Sequence, residues 1–130
     1  MFLIIDGYNL LKHVYPREKG KLEKQRNKLI RQLGFYKGKK AGDITQLIVV
    51  FDGGPWGRSI REIRSRVVVM FSGQKQSADD WIVAFAERNK EKELVLVSRD
   101  RELVSRCKRY GAEPVNVSDF YDVLQNTVLE

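Results

Sequence analysis

A doubly wound α/β domain, with helices on both faces of a mainly parallel sheet, is the fold class that this sequence predicts. Short, continuously apolar runs alternate along the chain with amphipathic helical segments, and three of these runs end in aspartate. Runs without polar alternation are typical of strands that are buried on both faces. Strands that alternate with helices favour parallel pairing. The length fits one compact domain over residues 1–130.

The first half of the chain is predicted to be strand, helix and strand. The apolar run at about residues 2–6 is the first strand, and a loop with Pro16 follows it. Apolar residues at helical spacing then predict a helix at about 21–37. The second strand, at about 46–52, is apolar throughout, which argues for burial on both faces. The glycine-rich segment from Gly53 to Ser65 has no assigned structure.

The second half repeats the alternation. The predicted elements are a strand at about 66–71, a helix at about 78–90, the third aspartate-terminated run from Leu94 to Asp100, a helix at about 101–110, a strand at 114–117 and a final helix from Ser118. Ser77 can cap the first of these helices, and Gly111 can end the second.

The charge balance of the chain indicates a polyanionic partner. There are 24 Lys and Arg against 17 Asp and Glu, a net charge of +7, and nucleic acid is favoured over a membrane surface. The apolar run from Met1 to Ile5 is far shorter than the ~20 residues of a membrane span. A single cysteine, Cys107, excludes an internal disulfide and a cysteine-rich zinc site. A cytoplasmic location is therefore expected, with Cys107 as a small buried residue.

Aspartates at the ends of the apolar runs predict a metal site. Asp6, Asp52 and Asp100 follow three runs, and the carboxyl ends of parallel strands meet at one edge of the sheet. Asp79 starts a predicted helix that would point at the same edge. Mg²⁺ and Mn²⁺ prefer carboxylate oxygens, and four neighbouring acids would repel one another without a cation or shared protons. Asn9 could bind a metal-bound water or hold Asp6 in position.

Each of these acids also has a structural explanation. Asp6 and Asp52 each precede a glycine, as in ordinary turns, and Asp100 could cap the helix that follows it. Asp80 lies three residues after Ser77, as in a capping box.

Four segments of the chain, taken in order, resemble the motifs of the YacP-like NYN domains, a bacterial branch of the PIN-like nucleases. The segments are Ile5-Asp6-Gly7-Tyr8-Asn9-Leu10, Val49-Val50-Phe51-Asp52-Gly53, Ser77-Ala78-Asp79-Asp80 and Val97-Ser98-Arg99-Asp100-Arg101-Glu102-Leu103. The resemblance runs from Met1 to about Gln125. It implies a three-layer α/β/α PIN-like domain with a central, mainly parallel sheet, and Mg²⁺- or Mn²⁺-dependent endoribonuclease activity. The choice of substrate is not carried over from the family, and the partner expected for this chain is RNA, which could include ribosome-associated mRNA.

By motif position, the acidic metal site of that family maps onto Asp6, Asp79 and Asp100. Asn9 would lie beside Asp6, and Asp52 would lie at the end of the neighbouring strand as an outer ligand or orienting group. Members of the family are commonly longer, with a charged C-terminal extension, whereas this sequence ends at Glu130. Contacts made by that extension are not carried over to this chain.

Basic and aromatic residues near the acids are predicted to contact the nucleic acid. Arg58, Arg61 and Arg64 recur every three residues, as on one side of a helical turn, and two further arginines, Arg99 and Arg101, flank Asp100. They would contact phosphates. Trp56, in a glycine-flanked loop, could stack on an unpaired base or pack beneath the loop.

A ribonuclease mechanism that uses a pair of histidines is excluded for this chain alone. His13 is the only histidine, so a histidine-pair ribonuclease is impossible, and its place in the predicted first loop indicates a structural or surface role. A metal-activated water would leave a 5′-phosphate and a 3′-hydroxyl.

Other functions remain open from the sequence. One is a catalytically inert RNA- or ribosome-binding module, and another is a structure-specific DNA nuclease. A phosphoacceptor domain of the receiver type lacks the paired acids and the late lysine that it needs. Three apolar residues of the final helix, Phe120, Val123 and Leu124, are expected to form an exposed patch that could support a homodimer. No role is assigned to Asp119.

Overall fold

The computed structural model describes residues 1–16, 20–40, 42–54 and 56–129, so part of the predicted loop before the second helix lies outside the described residues. In the described chain the strands form one six-stranded sheet. The strands are β1 (Phe2–Asp6), β2 (Gln46–Phe51), β3 (Ile60–Arg64), β4 (Val67–Phe71), β5 (Leu94–Val97) and β6 (Glu113–Val115). Their order across the sheet is β3-β4-β2-β1-β5-β6. All neighbours pair in parallel except β3 and β4, which are antiparallel.

Helices cover both faces of this sheet, which confirms the three-layer α/β/α class. Those in the described chain are α1 (Gly7–Val14), α2 (Leu22–Lys39), α3 (Ala78–Arg88), α4 (Arg101–Lys108) and α5 (Val117–Leu129). Apolar residues of α1, α2 and α5 pack with one face of the sheet, and those of α3 and α4 pack with the other. No helix within the described ranges combines the length and the apolar composition that crossing a bilayer requires.

The topology places the first strand beside the point where the strand order reverses. The chain moves outward from β1 to β2 and then to edge strand β3, comes back to β4 between β3 and β2, and crosses to the other side of β1 with β5 and β6. In open α/β sheets, ligands bind outside the carboxyl ends of the strands at such a reversal. Asp6 ends β1, and Asp100 follows β5 after a two-residue turn.

Two predicted segments are wrong in their secondary structure. The predicted loop after the first strand is helix α1, and His13 lies on it. The helical turn expected through Arg58, Arg61 and Arg64 does not exist, because residues 60–64 form edge strand β3. Side chains alternate along a strand, so Arg61 and Arg64, three residues apart, lie on opposite faces of the sheet. The three arginines therefore do not share one side.

The apolar patch expected on the last helix is wrong as well. Phe120 and Leu124 are only 4% and 2% exposed, whereas Val123 is exposed. The ring of Phe120 meets that of Tyr36 on α2 edge-on, with centroids 5.4 Å apart. Because α5 uses this face to cover the sheet beside α2, the proposed homodimer loses its structural basis.

The cysteine prediction is confirmed. Cys107 lies on the inner face of α4 and is buried in the core. Burial raises the pKa of its thiol to about 11, so the thiol stays protonated at neutral pH and is not a nucleophile.

Candidate active site

Carboxylates from four separate segments line one cavity at the carboxyl edge of the sheet. The cavity has a volume of about 320 Å³, and its acidic residues are Asp6, Asp52, Asp79 and Asp100. Asn9, Tyr8 and Lys12 of α1 complete much of its wall. All five residues proposed from the sequence as catalytic therefore meet at one place, which we call the acidic pocket.

Asp6 is the buried member of the acidic pocket, with only 9% of its surface exposed. The hydroxyl of Ser98, at the end of β5, donates to Asp6 Oδ2 over 3.0 Å. The same hydroxyl accepts from the backbone N–H of Asp100 over 3.1 Å. Ser98 thus links two acids of the site, although the sequence analysis did not single it out. Its position directly after a buried strand was the available signal.

Burial and crowding shift the ionisation of two acids in the pocket. Burial is the largest cause that raises the pKa of Asp6 to about 6; the hydrogen bond from Ser98 opposes it, and the neighbouring carboxylates add to it. The pKa of Asp79 is also raised, first by burial and then by the charge of Asp100 and a hydrogen bond with its carboxyl. Acids crowded in this way share protons unless a cation compensates their charge.

Asp100 both caps a helix and lines the pocket, so its two sequence interpretations hold together. Its Oδ1 accepts from the backbone N–H groups of Glu102 and Leu103, over 3.0 and 3.2 Å. These donors belong to the first turn of α4, where unpaired N–H groups favour a negative charge. The cap fixes the carboxyl group at the rim of the acidic pocket.

Asp52 is exposed, and it anchors the helix that carries Asp79. Its Oδ1 accepts from the backbone N–H of Ala78, the first residue of α3, over 2.8 Å. The hydroxyl of Ser72, at the end of β4, lies 3.4 Å from the same oxygen. The bond between Asp52 and the N–H of Ala78 holds the start of α3 against the end of β2, and Asp79 lies at that start.

Asp80 does not line the acidic pocket. Its backbone N–H donates to Ser77 Oγ over 3.0 Å, so Ser77 caps α3 as predicted. The Asp80 carboxylate pairs with Arg106 of α4 at 3.4 Å. Neighbouring acids on α3 therefore have separate environments.

Helix α1, which the sequence analysis missed, supplies one whole side of the site. Asn9 Oδ1 accepts from the backbone N–H of Arg99 over 2.8 Å, so Asn9 holds the turn between β5 and α4. One turn later, the side chain of Arg99 donates to His13 Nδ1 over 2.7 Å. Tyr8 and Lys12, also one turn apart, line the pocket. Asn9 thus secures Arg99 rather than Asp6.

Gly7 allows α1 to begin immediately after Asp6. A Cβ atom at this position would lie 2.5 Å from Phe51 Cδ1 and 2.7 Å from the Val50 carbonyl oxygen. Real Cβ atoms do not approach so closely, so only glycine lets the helix start against the end of β2.

The predicted nucleic-acid contacts lie in different places around this edge. Arg99 and Arg101 line a second, polar cavity next to the acidic pocket, with Ser98 between the two. Because Ile60 pairs with Phe71, Arg58 lies near the carboxyl end of β4, at the edge that carries the pocket. Arg64 pairs with Val67 at the opposite end and donates to Asn27 over 2.6 Å. Trp56 is 73% exposed, so it does not pack beneath its loop.

The donor set of the acidic pocket fits a hard cation held largely through water. Within residues 1–16, 20–40, 42–54 and 56–129, no three His, Cys, Asp or Glu side chains are grouped closely enough to hold a metal ion by themselves. Hydrogen bonds to the protein occupy Oδ2 of Asp6 and Oδ1 of Asp52 and Asp100. Mg²⁺ usually keeps several waters and binds one or two carboxylates directly, which such a pocket can provide.

Comparisons with known proteins agree with this architecture. The sequence profile of the YacP-like NYN domain matches residues 3–129. The crystal structure of Rae1 (YacP) from Bacillus subtilis superimposes with a TM-score of 0.79 at 21% identity, covering 98% of this chain and 75% of that one. Its W164L mutant gives a TM-score of 0.77 at 20% identity, covering 98% and 76%. No curated protein sequence gives a significant match. The resemblance noted in the sequence motifs is confirmed.

Proposed function

The chain belongs to the YacP-like NYN domain family, and from this premise we propose that it is a metal-dependent endoribonuclease that hydrolyses RNA at the acidic pocket. The observation that carries the proposal is the meeting of Asp6, Asp52, Asp79 and Asp100, from four segments of the chain, in one cavity at the strand reversal. Helix capping accounts for Asp52 and Asp100, but it does not account for the two other acids beside them in a chain of net charge +7, whereas cation binding accounts for all four. A nuclease directed at RNA agrees with both features.

Asp6, Asp79 and Asp100 would hold the cation, Mg²⁺ or Mn²⁺, directly or through water. When bound, the cation neutralises charge on the phosphate and lowers the pKa of a water nucleophile. Asp52 keeps α3 in place, and Ser98 orients Asp6. His13 is hydrogen-bonded to Arg99, so it positions that arginine and is not a base.

Substrate contacts are proposed on both sides of the pocket. Arg99 and Arg101 border it on one side and would contact phosphates of single-stranded RNA, including ribosome-associated mRNA in the cytoplasm. On the other side, Arg61 is exposed on β3, and Arg58 and Trp56 are exposed in the segment that precedes β3, where Trp56 would stack on a base. Arg64 lies at the far end of that strand, and its bond to Asn27 leaves it the weakest candidate.

Neighbouring acids on α3 provide a matched test of the proposal. Asp79→Asn and Asp80→Asn each remove one carboxylate from the same helical turn, but only Asp79 lines the pocket. We expect Asp79→Asn to lower Mn²⁺-dependent cleavage of single-stranded RNA by at least about 10-fold, and Asp80→Asn to leave it within about 2-fold. Cleavage that survives EDTA, or equal losses in the two variants, would contradict the proposal.

The chemistry of the ends separates two kinds of ribonuclease. Hydrolysis by a water nucleophile leaves a 5′-phosphate and a 3′-hydroxyl, whereas attack by the 2′-hydroxyl leaves a cyclic phosphate. End labelling of the products therefore tests the mechanism, and cyclic phosphates would reject it. Equal cleavage of the matching DNA strand would instead favour the structure-specific DNA nuclease.

If the protein were a catalytically inert RNA-binding module, the binding and cleavage results would differ. Such a protein would bind the same RNA without cleaving it, at any Mn²⁺ or Mg²⁺ concentration. Asp6→Asn separates the two functions, because it removes a negative charge near the phosphates. It should abolish cleavage and leave RNA binding unchanged or tighter.

A further inference from the structure

A third cavity, of about 330 Å³, lies between α1 and α2 beside the acidic pocket. Its volume lies in the range of sites that enclose small organic groups. Aromatic and aliphatic side chains supply most of its walls. They are Tyr8, Leu11, Lys12, Tyr15, Leu22 and Gln25. Nothing in the proposed hydrolysis uses this cavity.

Helix α1 separates the two cavities and lines both of them. Tyr8 and Lys12 line both of them. These residues are four apart, so they lie on the same face of α1, and Leu11 and Tyr15 have the same spacing on the adjoining face. A single RNA strand that crosses α1 at Lys12 would thus place one phosphate among the carboxylates and the adjoining base between Tyr8 and Tyr15.

The aromatic walls are held in place by the surrounding protein. The Tyr8 ring packs on Phe51 at a centroid distance of 5.0 Å, and its hydroxyl accepts from Arg26 over 3.1 Å. Lys28 Nζ lies 5.6 Å from the centroid of the Tyr15 ring. Walls that are already ordered reduce the entropy lost when a flat ligand enters.

We propose that this cavity is a nucleobase subsite, which receives the base next to the phosphate held at the acidic pocket. This inference rests on the proposed function, since it takes RNA as the occupant. A base is flat and apolar on its faces, and aromatic side chains are its usual stacking partners. Lys12, exposed between the two cavities, supplies the cation for the phosphate that joins them. A purely apolar ligand would not interact with the positive charge of Lys12 or with the adjoining carboxylates.

Binding of abasic RNA tests the subsite without any cleavage. The Asp6→Asn chain, which should bind RNA without cleaving it, is titrated in the presence of Mn²⁺ with short single-stranded RNAs in which one nucleotide at a time lacks its base, and affinity is measured by fluorescence anisotropy. We expect roughly a 5- to 150-fold loss when the missing base belongs to the position at this cavity, and much smaller losses elsewhere.

Two alanine substitutions on α2 test whether the loss of affinity arises at this cavity. Leu22 and Phe35 are both on α2, and they are 46% and 47% exposed, but only Leu22 lines the cavity. In the same background, Leu22→Ala should shrink the position-specific loss, and Phe35→Ala should preserve it. Tyr15→Leu, which keeps an apolar wall but removes the aromatic face, should also shrink it. Circular dichroism verifies that each variant is folded.

Each result decides the proposal. Uniform losses along the RNA, or a position-specific loss that Leu22→Ala and Tyr15→Leu leave intact, would overturn the subsite. Wild-type cleavage together with uniform losses would retain the nuclease and reject the subsite. If Leu22→Ala and Tyr15→Leu both shrink the position-specific loss, but the wild-type protein never cleaves RNA, the subsite would be retained and the nuclease rejected.

Discussion

Two aspartate–serine pairs at the carboxyl edge of the sheet are built alike, yet they do different things. Asp6 ends β1 and contacts Ser98 at the end of the neighbouring strand β5. Asp52 follows β2 and contacts Ser72 at the end of its neighbour β4. Asp6 is buried and its pKa is raised to about 6, whereas Asp52 is exposed and anchors a helix.

The difference arises from the residues that follow each acid. After Asp6, Gly7 begins α1 at once, and the helix covers the carboxyl group. After Asp52, Gly53 and Gly54 adopt φ values of +76° and +134°, which other residues rarely adopt, and they lead the chain into a loop. One acid therefore lies in a site suited to charge compensation, and the other remains open to solvent. The residues that follow a strand end, and whether they cover it, therefore determine the role of the aspartate there.

The largest expected effect is a contrast in cleavage between the two acids. Asp6→Asn should reduce Mn²⁺-dependent RNA cleavage by more than about 100-fold, because it removes the most buried charge of the proposed cation site. Asp52→Asn keeps an oxygen that can accept from Ala78, so the loss should stay at about 10-fold or less, as for a supporting group. Initial rates at saturating Mn²⁺ check both values. Equal losses would make Asp52 a direct ligand and end the comparison.

The buried charge should also cost stability when no cation is present. Above the folded-state pKa of about 6, Asp6 is ionised in a site that disfavours its charge, and its pKa before folding is near 3.8. A shift of about two units corresponds to about 3 kcal/mol. In EDTA at about pH 7, Asp6→Asn should therefore be more stable than the wild type by about this amount, measured by urea unfolding.

The sign of this effect fixes its pH dependence. The native state binds more protons than the unfolded state between pH 3.8 and about 6, so the wild type loses stability as the pH rises through that window. The advantage of Asp6→Asn should vanish near pH 4, and Mn²⁺ should reduce it at neutral pH by binding the wild type. Asp122→Asn, at an exposed site on α5, is the control and should change stability by less than about 0.5 kcal/mol. A gain that is independent of pH would contradict the assignment.

The main strands and the meeting of the acids were predictable because local signals agree with the fold. Continuous apolar runs mark β1, β2, β4 and β5, whose strands are buried on both faces. The acids follow three of these runs, and parallel pairing brings their ends together. The start of α3 is likewise visible as the Ser77 cap.

The rest depends on contacts that the local sequence does not reveal. Asp6-Gly7 is typical of a turn, and only the approach of Phe51 and Val50 explains why a helix needs glycine there. Edge strand β3 contains Arg61, Glu62 and Arg64, and it is a strand because β4 pairs with it. The serine supports of the acids lie on neighbouring strands, so their role depends on strand order.

Removing the two serines should give effects of different size. Ser98→Ala leaves Oδ2 of a buried carboxylate without its donor, which should cost about 1–3 kcal/mol at neutral pH. In the wild type the hydrogen bond from Ser98 lowers the pKa of Asp6. Its loss in the variant should therefore raise that pKa further above about 6. Carboxyl NMR titration and urea unfolding measure the two effects. Ser72→Ala removes a longer contact to an exposed acid and should cost less than Ser98→Ala; the reverse order would contradict the difference in burial.

The smallest expected effect concerns the anchor at Asp52. Asp52→Ala removes the acceptor for the Ala78 N–H at the start of α3, and loss of a helix cap typically costs about 1 kcal/mol. Asp52→Asn retains an acceptor oxygen and should cost less. Urea unfolding compares the two variants, and cleavage by Asp52→Ala should fall below that by Asp52→Asn, because Asp79 moves with the helix start. If both variants were equally stable and equally active, Asp52 would not anchor α3, and its likeness to Asp6 would end at the strand.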